Sequence, residues 1–210
     1  MKGIIFDLDG VIAITEEIHK RAFDFAFTAY GVSSDDYNWN KDFAGKGHKY
    51  IINTIFGESP ANNRLIDRWV DYYNRIAEGA KPVDGVIEFI NSKTIPMIVA
   101  TGSAKKSAEI VLNHLNIKLP MVSMEDAQFP KPDPGLFLLA SKRIGINPED
   151  CTVFEDSIYG IRAARRAGMK VIALATTHPV ELLKIEKPDM IINDFTDLIN
   201  RVQYPQFDER

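Results

Sequence analysis

Acidic side chains follow two apolar runs of the sequence, each at the point where the run ends. Asp7 follows the first run, and Glu155 and Asp156 follow a later one. If the two runs are strands that bring these carboxylates together, the negative charges would repel each other unless a cation lay between them. A small number of hard oxygen ligands suits Mg²⁺, which keeps several waters and takes a phosphate oxygen as a further ligand. The sequence therefore predicts a magnesium site built from these three carboxylates.

A hydroxyl group and an ammonium group follow two other apolar runs. Thr101 begins the segment Thr-Gly-Ser, and Lys131 begins the segment Lys-Pro-Asp-Pro. Both groups suit the oxygens of a phosphoryl group. An aspartate can act as the nucleophile towards phosphorus, and Asp9 lies two residues from Asp7, close enough to act as an acid on the leaving oxygen. Phosphoryl transfer through an aspartyl phosphate is the chemistry that these residues predict.

Each of these four segments also has an ordinary structural interpretation when it is taken alone. Asp-x-Asp-Gly is typical of a turn, Thr-Gly-Ser and Glu-Asp-Ser of helix caps, and Lys-Pro-Asp-Pro of a helix start. A calcium-binding EF-hand is excluded, because a loop that began at Asp7 would place Ile12 at the required glycine and Ile18 at the bidentate glutamate. Only the combination of the four segments indicates a catalytic site.

The elements that must position these segments are short strands alternating with helices. The apolar runs predict strands at residues 3–8, 97–100, 121–123, 152–154, 171–175 and 190–192. Amphipathic stretches between them predict helices at residues 134–144, with Asp133 as the cap and Pro134 as the first helical residue, and at residues 158–167, before Gly168. This alternation predicts an α/β fold with a doubly wound, mostly parallel sheet and a Rossmann-like core. Ligands bind at the carboxyl edge of such a sheet, where all four segments fall.

One region interrupts the alternation, because residues 15–81 give only helical patterns. Thr15, followed by two glutamates, begins a helix that Gly31 closes, and Ser59 with Pro60 begins another. The simplest interpretation is an inserted, all-helical cap. We therefore expect a catalytic core at residues 1–14 and 82–210 and a cap domain at residues 15–81.

Composition and charge exclude several classes of protein. The chain has 210 residues, 45% of them hydrophobic, a formal charge of −4 and one cysteine, Cys151. A disordered chain and a disulfide scaffold are excluded. No basic surface interleaved with aromatic residues is apparent, and the longest apolar runs have five residues, so we expect neither a nucleic-acid partner nor a membrane span. The single cysteine favours a cytoplasmic location.

The four segments in their order, FDLDGV, VATGS, FPKPDP and VFEDSIYGIRAARRAGM, resemble those of the haloacid dehalogenase superfamily of aspartyl-phosphate hydrolases. Within it the chain resembles the branch with a helical cap after the first strand, which includes small-metabolite phosphatases and β-phosphoglucomutase. The resemblance covers residues 3–174 and the position of the cap.

The resemblance implies a role for individual residues. Asp7 would be the nucleophile, and Asp9 the general acid that afterwards activates water. The residues that would hold the phosphoryl oxygens are Thr101, Gly102 and Lys131. The Mg²⁺ ligands would be Asp7, the main-chain carbonyl of Asp9, Glu155 and Asp156. An acid at position 9 also argues for a C–O–P substrate, since the dehalogenases of the superfamily lack it.

The cap loop departs from the mutase pattern. β-Phosphoglucomutases carry a lysine just before the loop glycine and an arginine three residues after it, where this chain has Ala44 and His48. This departure favours a phosphatase over a mutase. The loop formed by Gly45, Lys46, Gly47 and His48 offers its own cations, and we predict that these residues contact the far end of the substrate.

The sequence thus predicts a monomeric, Mg²⁺-dependent phosphatase of a small phosphorylated metabolite, such as a sugar phosphate or phosphoglycolate. A phosphosugar mutase is the alternative. A receiver-like signalling domain is a remote alternative, because a receiver has its acidic pair after the first strand and no helical insertion. His19, on the first cap helix, is interpreted as structural, although a place in the cleft remains open to it.

Overall fold

A computed structural model describes residues 2–43 and 46–203 of the chain, so the predicted cap residue Gly45 lies outside the described residues. The strands are β1 (Gly3–Phe6), β2 (Ala13–Ile14), β3 (Lys81–Pro82), β4 (Met97–Ala100), β5 (Met121–Val122), β6 (Cys151–Glu155), β7 (Lys170–Leu174) and β8 (Met190–Ile192). The helices are α1 (Glu16–Phe27), α2 (Trp39–Asp42), α3 (His48–Phe56), α4 (Asn62–Ile76), α5 (Val86–Asn91), α6 (Lys105–His114), α7 (Gly135–Ile144), α8 (Ile158–Arg166), α9 (Val180–Ile185) and α10 (Thr196–Gln203).

Six of the strands form one parallel sheet in the order β5-β4-β1-β6-β7-β8, which confirms the predicted doubly wound α/β fold. In the register of this sheet Phe6 pairs with Val99 on one side and with Phe154 on the other. Strand β1 is therefore central, and the order of the strands reverses beside it. This reversal opens a crevice at the carboxyl ends of β1, β4 and β6, where ligands bind in such sheets.

The residues of β1 are buried on both faces of the sheet, as its continuous apolar run predicts. Ile5 belongs to an apolar cluster with Phe137 of α7 and Ile161 of α8, whereas Phe6 belongs to the opposite cluster with Phe89 of α5. Four of these five side chains have no solvent exposure, and Phe89 is 4% exposed. The sheet is thus a rigid support for the residues that follow its strands.

Two helix boundaries test the capping predictions. Helix α7 begins at Gly135, one residue later than predicted, because Pro134 occupies the capping position and the Asp133 carboxylate accepts from the Gly135 N–H at 2.8 Å. Helix α8 ends at Arg166, one residue before the predicted end at Ala167, and Gly168 takes a left-handed φ of +75°. The local sequence therefore determines these ends to within one residue.

The helical segment predicted between residues 15 and 81 is present as α1 to α4, but its boundary contains an unpredicted antiparallel ribbon. Strands β2 and β3 pair Ala13 with Pro82 and Ile14 with Lys81, so Lys81 is in a strand rather than in a purely helical region. Two-residue strands give no periodicity, which is why the sequence pattern missed them. The ribbon joins the two points where the chain leaves the sheet and returns to it. The domain boundaries at 14/15 and 81/82 stay a prediction.

The longest described helix, α4, has 15 residues. None of the described helices combines the length and the apolarity that crossing a membrane requires.

Candidate active site

Most of the predicted site residues line one cleft between the carboxyl edge of the sheet and the helices α1 to α4. Thr101 and Glu155 do not line it, because both are fully buried beside it. The cleft has a volume of about 710 Å³. Its walls include Asp7 and Asp9 after β1, Gly102 after β4, Lys131 before α7 and Asp156 after β6. Residues that are up to 149 positions apart in the sequence thus come together because parallel strands end at the same edge.

A buried ammonium group links two of the strands at this edge. Lys131 Nζ donates hydrogen bonds to Asp7 Oδ1 at 2.9 Å and to Glu155 Oε1 at 2.6 Å. The other oxygen of Glu155 accepts from the backbone N–H and the hydroxyl of Ser157, at 2.7 and 2.9 Å. A Cβ atom at Gly160 would lie only 1.7 Å from Glu155 Oε1, so a glycine is required where this carboxylate packs on α8. The lysine and both carboxylates are therefore held in one orientation.

Three carboxylates at the same place have the geometry and the charge of a cation site. Ligand oxygens of Asp7, Glu155 and Asp156 lie within 4.8 Å of one another, and all three residues are buried. Gly10 has a φ of +72°, and a Cβ there would lie 1.9 Å from Asp156 Oδ2. The bare backbone of Gly10 thus lets this carboxylate approach the turn after β1. Hard, buried oxygen ligands of this kind fit a divalent cation such as Mg²⁺.

The pKa values of these groups reflect first their burial and then their mutual repulsion. Burial raises the pKa of Asp7 to about 7 against the opposing charge of Lys131, and the negative charges of Glu155 and Asp9 add to the rise. Burial, followed by the charges of Glu155 and Asp7, raises the pKa of Asp156 well above its usual range. One ammonium group does not balance three carboxylates, and a divalent cation would complete the balance.

Asp9 has a different environment from the other acids. Its Oδ1 accepts from the Thr15 hydroxyl at 2.6 Å and lies 3.4 Å from His19 Nε2, and its Oδ2 accepts from the Ser103 hydroxyl at 2.6 Å. Burial alone would raise the pKa of Asp9, but the hydrogen bond and charge of His19, with the Ser103 and Thr15 hydrogen bonds, hold it well below its usual range. Its side chain lies outside the three-carboxylate cluster. The arrangement holds Asp9 as an oriented carboxylate that can accept a proton, rather than as a side-chain ligand of a metal ion.

Sequence reasoning missed three partners of Asp9. His19, interpreted as structural with a place in the cleft left open, lines the cleft. Thr15 was assigned only to the start of a helix and Ser103 only to the Thr-Gly-Ser segment, so neither was predicted to contact Asp9. A helical signal was available for His19, because it follows Thr15 by four positions and such residues share one face of a helix. Ser103 lies in the segment Thr-Gly-Ser but comes from a different strand, so only the fold could reveal its contact with Asp9.

The turn after β4 arranges the predicted phosphate-binding residues. Thr101 has no solvent exposure, and its hydroxyl oxygen accepts from the Ser103 backbone N–H at 3.0 Å. Gly102 and Ser103 line the cleft above it. A Cβ at Gly102 would meet no atom within 4 Å. The turn therefore leaves open space beside its backbone, on the side where a ligand oxygen could approach.

The described residues of the cap loop, Lys46, Gly47 and His48, also line the cleft. Lys46 Nζ donates to the main-chain carbonyl of Asp42 at 2.6 Å. The His48 ring packs edge-on against Trp69, with ring centroids 4.4 Å apart. Burial and the neighbouring His19 lower the pKa of His48 to about 3, so His48 is uncharged at neutral pH, in contrast to the cation expected from the sequence.

The comparisons with known proteins agree with this geometry. The family model for haloacid dehalogenase-like hydrolases matches residues 4–174. The fructose-1-phosphate phosphatase YqaB of Escherichia coli is 30% identical over 81% of this chain and 94% of its own length. The validoxylamine A 7'-phosphate phosphatase of Streptomyces hygroscopicus is 27% identical over 94% of this chain and 95% of its own length.

A solved structure supports the fold. The crystal structure of a hydrolase from Pseudomonas syringae superposes with a TM-score of 0.85 at 24% identity, covering 97% of this chain and 98% of that one. At this identity the likeness concerns the fold alone. Since the family model spans most of the sequence and includes every strand from β1 to β7, the chain belongs to the haloacid dehalogenase-like hydrolase family.

Proposed function

We propose that this protein is a Mg²⁺-dependent phosphatase that hydrolyses the phosphate monoester of a small metabolite through an aspartyl phosphate on Asp7. The observation that carries the proposal is the buried contact of Lys131 with Asp7 and Glu155 beside a third carboxylate, Asp156, in an open cleft. The relatives that are named as phosphatases support the class of reaction.

In the first half of the reaction, a carboxylate oxygen of Asp7 attacks phosphorus and the bond from phosphorus to the alcohol oxygen breaks. Asp9, after taking up a proton, gives it to that oxygen, and the alcohol leaves. In the second half, Asp9 takes a proton from water, whose oxygen attacks phosphorus and releases inorganic phosphate and Asp7. The hydrogen bonds from Thr15 and Ser103 would hold Asp9 in place for both transfers.

The remaining residues would bind the phosphoryl group. Lys131 would pair with its oxygens as well as with Asp7, and the turn of Thr101 and Gly102 would offer hydrogen-bond donors. A Mg²⁺ ion bound to the carboxylates of Asp7, Glu155 and Asp156 and to the Asp9 carbonyl would neutralise the charge of the phosphoryl oxygens.

The proposal assigns catalysis and substrate recognition to two different parts of the chain. Residues 1–14 and 82–210 would form the catalytic core and residues 15–81 the cap that recognises the alcohol, with the β2–β3 ribbon at the junction. A cytoplasmic location and a monomeric state complete the proposal, and the burial of the single thiol, Cys151, is compatible with both.

The test is a panel of phosphorylated metabolites assayed for phosphate release with Mg²⁺. We expect steady release from a monophosphate without added sugar bisphosphate, and none from the Asp7→Asn variant. No release from any ester would overturn the proposal. Conversion of β-glucose 1-phosphate to glucose 6-phosphate without phosphate release would instead establish the mutase.

A further inference from the structure

The cap side of the cleft contains a buried hydrogen-bond donor that the protein does not satisfy. Among the described residues, the indole Nε1 of Trp69 is the one buried side-chain nitrogen or oxygen atom without a hydrogen-bond partner. Trp69 is 1% exposed and forms part of the cleft wall. A buried donor left without a partner costs about 1–3 kcal/mol, so a site that keeps one is suited to a ligand that supplies an acceptor.

The indole ring is held in place by its neighbours. Phe23 and Phe27 of α1 meet it edge-on, with centroid distances of 5.4 and 5.7 Å and interplanar angles of 89°. His48 packs against it at 4.4 Å, and Trp39 lies at 6.2 Å. These contacts fix the direction of the N–H bond before any ligand arrives, and a preorganised donor discriminates between ligands more strongly than a mobile one.

The positive charge of this wall comes from Lys46 and Lys49, and neither ammonium group is buried in the cleft to receive a second anionic group. His48 is a neutral imidazole, since burial and His19 lower its pKa. The ammonium group of Lys46 donates to the Asp42 carbonyl and lies 5.0 Å from the centre of the Tyr50 ring. Lys49 is exposed to solvent, which weakens its attraction for an anion in the cleft.

The mouth of the cleft is apolar on both sides. Four large hydrophobic side chains that line it are exposed by 45% or more: Ile14, Tyr50, Met124 and Phe129. Tyr50 belongs to the cap, whereas Met124 and Phe129 belong to the core. Rings and alkyl groups at the mouth of a cleft whose wall includes an N–H donor suit a ligand with apolar C–H surfaces and uncharged oxygens. They do not compensate the desolvation of a phosphate or a carboxylate.

From this arrangement we infer the class of substrate: the alcohol released by the enzyme is uncharged and polyhydroxylated, as in a sugar or polyol monophosphate, and one of its oxygens accepts a hydrogen bond from Trp69 Nε1. An ester with a second phosphate or a carboxylate on the alcohol is a poor substrate. This inference rests on the proposed phosphatase function and assigns Trp69 as its specificity-determining residue.

The first experiment compares esters that differ by one anionic group. The pairs are fructose 1-phosphate with fructose 1,6-bisphosphate, and glucose 6-phosphate with glucose 1,6-bisphosphate, with phosphoglycolate as the carboxylate-bearing ester. We expect kcat/KM to be at least about 10-fold higher for the better sugar monophosphate than for its bisphosphate and for phosphoglycolate. A preference for the bisphosphates or phosphoglycolate would overturn the inference and leave the phosphatase in place. No phosphate release from any ester would instead remove the proposed function itself.

The second experiment isolates the indole N–H. Trp69→Phe keeps an aromatic ring but removes the donor, so kcat/KM for the preferred sugar monophosphate should fall about 10-fold, whereas the value for phenyl phosphate, whose alcohol has no further acceptor, should change by less than about twofold. Phe27→Leu is the matched control, because Phe27 packs on Trp69 but does not line the cleft. In this control the ratio of the two kcat/KM values should not change.

Thermal unfolding of both variants separates recognition from packing. Phe27→Leu should lower the unfolding temperature, because it loses packing against Trp69. Trp69→Phe loses packing but also removes the unpaired donor, so its unfolding temperature should fall less. Only Trp69→Phe should lower the ratio of kcat/KM for the sugar ester to that for phenyl phosphate. An unchanged ratio in a folded Trp69→Phe variant would contradict the role of the N–H. An equal fall in both folded variants would assign the effect to packing and would also contradict it.

Discussion

The two sides of the cleft satisfy their polar atoms in opposite ways. On the core side the carboxylates have donors from the protein, such as Lys131 for Asp7 and Glu155, and Ser103 for Asp9. On the cap side the wall is a cluster of rings in which His48 is uncharged and the Trp69 N–H has no partner.

This difference separates two tasks of a phosphoryl-transfer enzyme. Groups that stabilise developing charge must be oriented before the substrate arrives, and their partners in the protein provide that orientation. Groups that select among alcohols can instead obtain part of their hydrogen bonding from the substrate itself, because the wrong alcohol then leaves them unpaired. In the proposed function the core edge would therefore perform the chemistry that is common to many substrates, and the cap wall would select among their alcohols.

The comparison is tested most severely by Asp7→Asn. The substitution removes the nucleophile and keeps the shape of the side chain, so phosphate release should fall by at least about 10⁴-fold. The fold should remain, since the change removes one of three mutually repelling buried carboxylates. Phosphate release and circular dichroism are the measurements, and turnover near that of the wild type in the purified variant would rule out the mechanism.

Removal of the metal ion tests the core side as a unit. Excess chelator should reduce phosphate release to background, and Asp156→Ala should have the same effect in the presence of Mg²⁺, because too few ligands remain to hold the ion beside Asp7. Asp150→Ala is the matched control, since Asp150 pairs with Lys2 at the surface before β6, far from the cleft. Full activity in chelator would be incompatible with the magnesium site.

Asp9→Asn tests the proton transfer separately from the nucleophile. The amide can keep a hydrogen bond with Thr15 or Ser103 but cannot donate and accept the reacting proton, so turnover should fall about 10²–10⁴-fold. The loss should be smaller for an ester with a good leaving group, such as an aryl phosphate, than for a sugar phosphate. Equal losses for the two esters would argue against an acid that protonates the leaving oxygen.

The smallest effect concerns the neutral His48 in the cap wall. Its folded-state pKa of about 3 lies below the ordinary value of 6.5, so below pH 6.5 the unfolded chain binds a proton that the folded chain does not. The free energy of unfolding should therefore fall by about 1–2 kcal/mol between pH 7 and pH 5 because of His48. The His48→Gln variant should not show this contribution to the pH dependence. Chemical denaturation at several pH values measures it, and His114→Gln, at an exposed site on α6, is the control. Parallel pH profiles for wild type and His48→Gln would mean that folding does not lower the pKa of His48.

Much of the fold and of the core edge is predictable from local sequence patterns. Apolar runs such as that of β1 become buried parallel strands, and Gly10 and Gly168 mark turns with a positive φ. A carboxylate that follows such a strand must lie at its carboxyl edge, whatever the rest of the chain does. For this reason Asp7 and Asp156 could be assigned to one site before their separation in space was known.

The cap wall could not be predicted in this way. The sequence predicted a positive charge on His48, whereas burial keeps the imidazole neutral. The residues around Trp69 in the sequence do not show whether its indole lies in a cleft wall or in a helical core. The contacts of Asp9 with His19 and Ser103 join three elements, α1, the turn after β1 and the turn after β4. Such contacts depend on how the helices pack against the sheet.

The sequence by itself therefore predicted the candidate reacting groups and determined the edge of the sheet on which they lie, because strand polarity and apolar periodicity are local properties. Only the tertiary structure decided which groups restrain Asp9, that His48 is neutral and that the Trp69 N–H is unpartnered. Burial, electrostatic environment and hydrogen-bond satisfaction are properties of neighbours in space, and in this protein those neighbours come from segments that are distant in the chain.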